Sequence, residues 1–321
     1  MESSETHEHG LNSQRHFDVT WVDVKNPSIE ALSDLEHTYH LHPIHLSEST
    51  QKIQHTQVER EESYLFLVMH FPVVDHHGVK LSFGQVGIFL GHDYLITIRT
   101  ADSHAITNFY NSCRRDAERG EGHFKEGSAY LLYGMITAML DEISAMTESV
   151  VGELDAIEDL VFDNNTSDAQ RIGKVRQKIV RLMRLIGPKK IILQDLADQI
   201  NSFNGHHNLS KYFSNSTKTV NRLWEVIEEA KETVEIYKDA DFTTSTEQTN
   251  EILAILTILF TFTIPITVVG TLYGMNVPLP GGITAGAWTF LGRYTTFEIL
   301  VTASLATALA MYLYFRNKKW F

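Results

Sequence analysis

The sequence predicts an α/β domain followed by long helices and two membrane-spanning helices towards the C-terminal end. Three patterns lead to this fold class. Short alternating or apolar runs, separated by turn residues, fill the first 125 residues. Apolar residues then recur at helical spacing from Ser128 onward. The run from Ile252 to Tyr273 holds no charged residue, and as a helix it is long enough to cross the ~30 Å hydrocarbon core of a bilayer.

The composition is acidic and includes a single cysteine. Forty Asp and Glu residues stand against 27 Lys and Arg residues, a net charge of -13, which argues against nucleic acid as a partner. Cys113 has no second cysteine to pair with, in keeping with a reducing cytosol. The polar start MESSETHEHG has no apolar stretch that would direct export, and residues 1–15 are expected to be disordered.

Residues 1–125 form the predicted cytosolic α/β domain. Neither a phosphate-binding loop nor the spacing of a catalytic triad occurs in it, so no enzyme is predicted. Gly84 and Gly87 fall inside an expected strand and indicate either a bulge or close packing. The expected elements are a strand over 17–21, a helix capped by Ser28, a buried strand over 64–69, and a hairpin of strands over 79–90 and 94–98.

Residues 126–250 are predicted to be a helical hairpin followed by a stalk helix. Turn residues at 164–168 separate two helical patterns, and Pro188 predicts either a kink or a break in the second. A third pattern starts near Ser216 and meets no Gly or Pro before Pro265. One helix from about Ser216 to Tyr273 is therefore expected. Because so long a helix cannot bury itself in one small globule, it favours a bundle of subunits around an axis.

The C-terminal region reads as two spans joined by a short external loop. The basic tail after the second span places both termini in the cytosol by the positive-inside rule. The expected segments are a first span over 251–276, a loop over 277–297, a second span over 298–315 and a tail over 316–321.

Several motifs at the C-terminal end together resemble the CorA family of divalent metal ion transporters. They are Gly274-Met275-Asn276 after the first span, Thr249-Asn250-Glu251 at its entry, Pro265 inside it, and the basic tail. The resemblance implies a funnel-shaped homopentamer in the cell inner membrane. It also implies that Mg²⁺, with Co²⁺ or Ni²⁺, is the cargo and that no organic cofactor is needed. The implied partners are further copies of the chain, the lipid bilayer and divalent cations.

The resemblance also assigns an ion pathway along the first span. Gly274, Met275 and Asn276 match the selectivity filter. Since Mg²⁺ gives up its water reluctantly, neutral Asn276 carbonyl oxygens suit a hydrated ion, and apolar rings suit a gate that closes by dewetting. The matched pore-lining positions are Asn250, Leu253, Leu256, Ile264 and Thr267, and helical spacing from Asn276 adds Phe260 and Thr271.

Cytosolic metal sensing is a second property that the resemblance implies. In the family, Mg²⁺ bound between cytosolic domains stabilises the closed state, and a ligand shifts a population by its differential affinity. Alignment back from Thr249 without gaps places one sensing aspartate on Asn215 and a second stalk acid on Asp239. Asn215 offers a carbonyl oxygen but no charge, so sensing is expected to be weaker or to lie elsewhere, for instance on the acidic face over 228–241.

The loop after the motif departs from the family pattern. Val277 to Gly282 contains no acidic residue, whereas many members carry acidic residues there, and this leaves the transported metal open. Pro280-Gly281-Gly282 resembles the zinc-transporting ZntB branch, although that branch usually changes the Met that is kept here. The alternatives are therefore a proton-coupled Zn²⁺ transporter and, from another class, a membrane-anchored signalling or scaffold protein.

The 16 histidines are expected to lie mostly on the surface. His37 and His40 would share a helix face, a spacing compatible with a zinc or nickel pair, but no cysteine is nearby. The other close-spaced histidines are His7 and His9, His42 and His45, His76 and His77, and His206 and His207.

Overall fold

The computed structural model covers the full chain and describes residues 11–51, 55–74, 81–115, 122–163, 169–204, 209–282, 286–292 and 294–317. The chain divides into two compact units, residues 1–241 and 242–321.

The first unit contains a six-stranded mixed sheet. Among the described strands, β2 and β6 pair in parallel, and the other neighbours are antiparallel. The strand order across the sheet is β1-β2-β6-β5-β4-β3. The strands are β1 Leu11–His16, β2 Val19–Lys25, β3 Gln57–Arg60, β4 Tyr64–Val74, β5 Leu81–Gly91 and β6 Tyr94–Arg99.

The apolar run of β4 is continuous because the strand is covered on both faces. Its alternate side chains enter two different cores. One core is shared with the long helices and the other with two short helices, α1 Ile29–Tyr39 and α2 Pro43–Thr50. The two sets are Leu65, Leu67 and Met69 on the first face, and Tyr64, Phe66 and Val68 on the second.

Three sequence expectations for this unit need correction or completion. Residues 11–15 were expected to be disordered, but they belong to β1, which pairs along β2. Phe17 was expected in a strand, yet it lies in the turn before β2 with a φ of 55°. Helix α2 was not predicted at all. The helix capped by Ser28 is confirmed, since its hydroxyl accepts a hydrogen bond from the Ala31 N–H at 3.1 Å.

Gly84 and Gly87 serve close packing rather than a bulge. The pairing of β4 with β5 runs without interruption from Tyr64 opposite Gly91 to Val74 opposite Leu81. A Cβ atom on Gly87 would lie 2.1 Å from the Ser49 hydroxyl oxygen on α2. Glycine at this position therefore lets α2 approach the sheet closely.

Helices complete the first unit. The first of them, α3 His104–Arg115, precedes a hairpin of α4 Ser128–Asp163 and α5 Ala169–Asn204. Helix α5 continues through Pro188 without a break. An ion pair between Lys178 and Glu153 links the two helices of the hairpin. The turn expected at 164–168 lies outside the described residues.

The next helix, α6 Leu209–Gly274, is 66 residues long and starts earlier than the sequence predicted. The boundary between the two units falls inside it, at residue 241. The second unit adds α7 Thr295–Asn317. Helices α6 and α7 are the two in the described part of the chain that are long and apolar enough to cross a membrane.

Candidate functional site

The predicted ion pathway lies on α6, which runs continuously through Pro265 to Gly274. In the isolated chain the apolar members of the line are well exposed, with Leu253 at 53% and Phe260 at 59%. The structure thus places the whole predicted line on one helix. Its members are Asn250, Leu253, Leu256, Phe260, Ile264, Thr267 and Thr271.

Helix α6 changes character at residue 241. Before that point, residues every seven positions along it are buried in the core of the first unit. From 242 to 274, all of which the structure describes, no side chain is buried. An apolar surface this large needs lipid or protein to cover it. The buried residues at seven-residue spacing are Phe213, Val220, Ile227 and Val234.

Threonines supply the polar oxygen atoms of the apolar segment. The hydroxyl of Thr267 donates to the Thr263 carbonyl and that of Thr271 to the Thr267 carbonyl, each at 2.8 Å. These bonds satisfy the hydroxyl protons inside the helix, as an apolar environment requires. The hydroxyl oxygens keep their lone pairs. The predicted pathway, although uncharged, therefore still offers hydrogen-bond acceptors to water.

The end of α6 exposes the predicted filter. Helix geometry stops at Gly274, and the Met275 N–H donates to the Leu272 carbonyl at 3.2 Å. Asn276 follows immediately and is exposed. Pro265 has no N–H, so within α6 the carbonyl of Thr261 lacks its usual backbone donor.

The two predicted sensing positions do not form one site within a chain. Asn215 and Asp239 lie 24 residues apart on α6, about 36 Å along its axis. Both are exposed, and the Asp239 carboxylate lies 3.6 Å from the Lys238 ammonium. A metal ion bound at Asn215 or at Asp239 would therefore need further ligands from other residues.

The acidic face of α6 is partly neutralised by cations. Arg176 on α5 binds the Glu235 carboxylate at 2.6 Å and Lys238 binds it at 2.8 Å. Hydrogen bonds from Lys238 and then Arg176 lower the pKa of Glu235 to about 2. Among the described residues, no group of three or more His, Cys, Asp or Glu side chains is placed to hold a metal ion.

Of the close-spaced histidines that the structure describes, all but one are exposed. His37, His40 and His42 are exposed, as expected. His45 contradicts the surface expectation, because it is only 3% exposed. Its ring lies 2.9 Å from the Tyr64 hydroxyl and 3.1 Å from the Glu59 carboxylate. The pairs at 7 and 9, 76 and 77, and 206 and 207 lie outside the described residues.

Sequence reasoning missed two buried charged sites. Lys189 is 1% exposed, and its ammonium donates to the His70 carbonyl at 2.6 Å and to the Leu185 carbonyl at 3.0 Å. Burial lowers the pKa of Lys189 to about 7. A signal existed in the sequence, since Lys189 falls on the apolar stripe of α5 between Leu185 and Leu193.

The second buried site pairs charges on neighbouring strands. The Arg99 guanidinium binds both carboxylate oxygens of Asp23, at 2.7 and 3.0 Å. Thr97 donates to the same carboxylate at 2.8 Å. Neither charged site lies near the predicted pathway in sequence, and both belong to the first unit.

Comparison with known proteins identifies the family. The model of the CorA-like Mg²⁺ transporter protein family matches residues 17–318. The chain belongs to this family. The cobalt/magnesium transport protein CorA of Thermotoga maritima is 22% identical over 304 residues, which cover 94% of this chain and 83% of that protein.

Two solved structures show the shared fold. The CorA magnesium transporter of Methanocaldococcus jannaschii has a TM-score of 0.77 at 17% identity and covers 96% of this chain and 93% of its own. The cytoplasmic domain of ZntB from Vibrio parahaemolyticus has a TM-score of 0.60 at 13% identity, over 75% of this chain and all of that one (100%). At these identities, the two likenesses concern the fold alone.

These findings make the chain a membrane protein of a divalent-cation transporter family. The family is one of transporters and not of enzymes. The two apolar helices α6 and α7 supply the spans.

Proposed function

We propose that the chain forms a homopentameric channel that passes Mg²⁺, together with Co²⁺ or Ni²⁺, through the cell inner membrane. The observation that carries the proposal is the uncharged, exposed line on α6 that leads to Gly274, Met275 and Asn276. Five copies of this line around an axis would cover the apolar surface and enclose a pathway. The similarity to a cobalt/magnesium transport protein supports the choice of ions.

The pathway suits an ion that keeps its water. Mg²⁺ dehydrates reluctantly, and a buried carboxylate would trap a divalent ion. A ring of Asn276 carbonyl oxygens would hold the hydrated ion, while rings of Leu253, Leu256 and Ile264 would close the pathway by dewetting. Inward movement of a divalent ion gains about 4.6 kcal/mol per 100 mV, so the potential alone would drive uptake.

The proposed orientation places both termini in the cytosol. Arg316 lies in the last turn of α7, and two further lysines follow it in the sequence. The positive-inside rule then leaves the loop between the spans outside. Asn215 and Asp239 lie on the same continuous helix that carries the pathway. Cytosolic metal bound at either residue would therefore favour one conformation of that helix and, with it, one state of the gate.

Flux into sealed liposomes tests the proposal. Wild type, Asn276→Ala and the matched control Asn317→Ala, at the far end of α7, would each be compared for Mg²⁺ and Zn²⁺ entry. A potential of about 100 mV or a pH gradient would be imposed. We expect potential-driven Mg²⁺ entry, unchanged in Asn317→Ala and reduced at least tenfold in Asn276→Ala.

Other results would redirect the assignment. The sequence Pro280-Gly281-Gly282 favours a proton-coupled Zn²⁺ transporter as the second candidate, and Zn²⁺ entry that follows the pH gradient would establish it. An assembled protein that passes neither ion would instead leave a membrane-anchored signalling or scaffold role.

A further inference from the structure

The described residues between α6 and α7 form hydrogen bonds of their own. After Gly274 the chain turns, and the Gly282 N–H donates to the Leu279 carbonyl at 2.9 Å. Gly281 is buried and has a φ of +76°, a left-handed conformation that glycine adopts without strain. The residues after the motif thus form a defined turn although they carry no charge.

A first hydrogen bond closes this turn around the motif. The Tyr273 hydroxyl, in the last turn of α6, donates to the Pro280 carbonyl at 3.0 Å. The bond joins positions on either side of Gly274, Met275 and Asn276. It therefore shortens the free length of chain in which Asn276 can move.

A second set of bonds ties the same turn to α7. The Thr296 hydroxyl donates to the Gly281 carbonyl at 3.2 Å and accepts a hydrogen bond from the Trp288 N–H at 3.0 Å. Thr296, in the first turn of α7, thereby connects the backbone at Gly281 with the backbone at Trp288. Thr295 secures the helix start beside it, since its hydroxyl accepts from the Leu291 N–H at 3.1 Å.

Gly281 also leaves room for an aromatic ring. A Cβ atom at this position would lie 2.8 Å from the Trp288 ring, closer than real Cβ contacts allow. Without it, the indole packs directly against the turn. Packing and hydrogen bonds therefore act on the same two residues, Gly281 and Trp288.

We infer that Tyr273, Gly281, Trp288 and Thr296 form a clasp that positions Asn276 for ion discrimination. The inference rests on the proposed channel function. Asn276 lies inside the segment that the clasp closes, and a hydrated ion is discriminated by where its oxygen ligands stand. In a loop without acidic residues, fixed neutral oxygens must supply the discrimination that charge would otherwise give. Tyr273 and Thr296 are thus positioning residues.

Hydroxyl-deletion variants test the clasp. Tyr273→Phe and Thr296→Val each remove one hydroxyl and keep the side-chain size. The matched control is Thr302→Val, because the Thr302 hydroxyl donates along α7, to the Glu298 carbonyl at 2.7 Å. We expect each clasp variant to lower the ratio of Mg²⁺ to Ca²⁺ flux in liposomes about fivefold, the ratio that corresponds to one neutral hydrogen bond. The control should keep the wild-type ratio.

A second measurement reads loop order without transport. A spin label on Leu279→Cys would report mobility between the two parts of the clasp. The native Cys113 is buried, and burial raises the pKa of its thiol to about 11, so it should stay unlabelled. The label should become more mobile in Tyr273→Phe and Thr296→Val, but not in Thr302→Val.

The outcomes separate this inference from the proposed function. Increased loop mobility together with the lower flux ratio would support the clasp. Mg²⁺ flux with an unchanged ratio, or unchanged mobility in both variants, would overturn the clasp and leave the channel standing. A wild-type protein that passes no divalent ion would overturn both.

Discussion

The two units of the chain treat apolar side chains in opposite ways. In the first unit, Trp21 and Phe66 are fully buried. In the second, Phe260 is 59% and Leu305 62% exposed, and the span from 252 to 273 has no charged residue. The same residue types are thus hidden in one unit and displayed in the other. The difference indicates that the first unit folds against water, whereas the apolar surface of the second needs lipid or protein to cover it.

Charged side chains also differ between the two units: the first unit buries several of them, whereas the apolar segments of the second contain none. The first unit buries Asp23, Arg99 and Lys189, and each of them is compensated by hydrogen bonds. A water-facing fold can support such groups because a core of strands and helices supplies fixed partners. The membrane helices have no equivalent framework within one chain, so their interior positions stay neutral.

The largest expected effect comes from breaking the buried ion pair. Arg99→Met leaves the Asp23 carboxylate, 1% exposed, without its cation, and this should lower the free energy of unfolding by about 3–5 kcal/mol. Denaturant unfolding of the full-length protein in detergent would measure it. The exposed Asp34→Asn is the control and should change stability by less than ~1 kcal/mol. A loss of less than ~1 kcal/mol in Arg99→Met would show that the ion pair contributes little to the stability of the fold.

A charge placed in the second unit should act on membrane insertion. Leu305 lies near the middle of α7, and Leu305→Asp should disfavour insertion of the segment 295–317 by about 3 kcal/mol, or ~100-fold in the inserted fraction. An assay of insertion of that segment in a host protein measures the ratio.

Ile29 provides the contrast for this prediction. It is 87% exposed in the first unit, and Ile29→Asp should shift the unfolding free energy by no more than ~0.5 kcal/mol. Equal tolerance of Asp at both positions would contradict the idea that the two units face different solvents.

A smaller effect than those of Arg99→Met and Leu305→Asp, and one that stabilises at neutral pH, is expected at Lys189. Its pKa is about 7 in the fold against 10.5 for the free side chain, so the unfolded state binds more protons between these values. Wild-type stability should therefore rise with pH from about 7 to 10.5. Lys189→Met removes this slope and should be more stable at pH 7 by about 2 kcal/mol, after the loss of two hydrogen bonds.

Unfolding measured as a function of pH would check this sign. Lys190→Met is the matched control, because Lys190 lies half-buried over the Trp224 ring and not in the core. The advantage of Lys189→Met should vanish near about pH 9 and reverse as the pH approaches 10.5, because the penalty of burying the charge then disappears while the two hydrogen bonds stay lost. Parallel pH profiles for the two proteins would mean that Lys189 remains protonated throughout this range.

Much of the candidate site was accessible from the sequence because its signals are local. Helical periodicity carried α6 through Pro265 to the motif, and the structure confirms one continuous helix there. The assignment of Asn276 and the line to ion conduction stays a prediction. The turn after the motif could not be predicted, since its bonds join Tyr273 to Pro280 and Thr296 to Gly281.

The sequence by itself determined the order of α/β domain, long helices and two spans, as well as the uncharged course of the line. Periodicity and composition decide these features within a window of a few residues. Only the tertiary structure decided that residues 11–15 form a strand, that His45 and Lys189 are buried, and that Asp23 meets Arg99. Each depends on partners far along the chain, as in the pair Asp23 and Arg99, 76 residues apart. Such contacts arise from packing between elements, which no local pattern specifies.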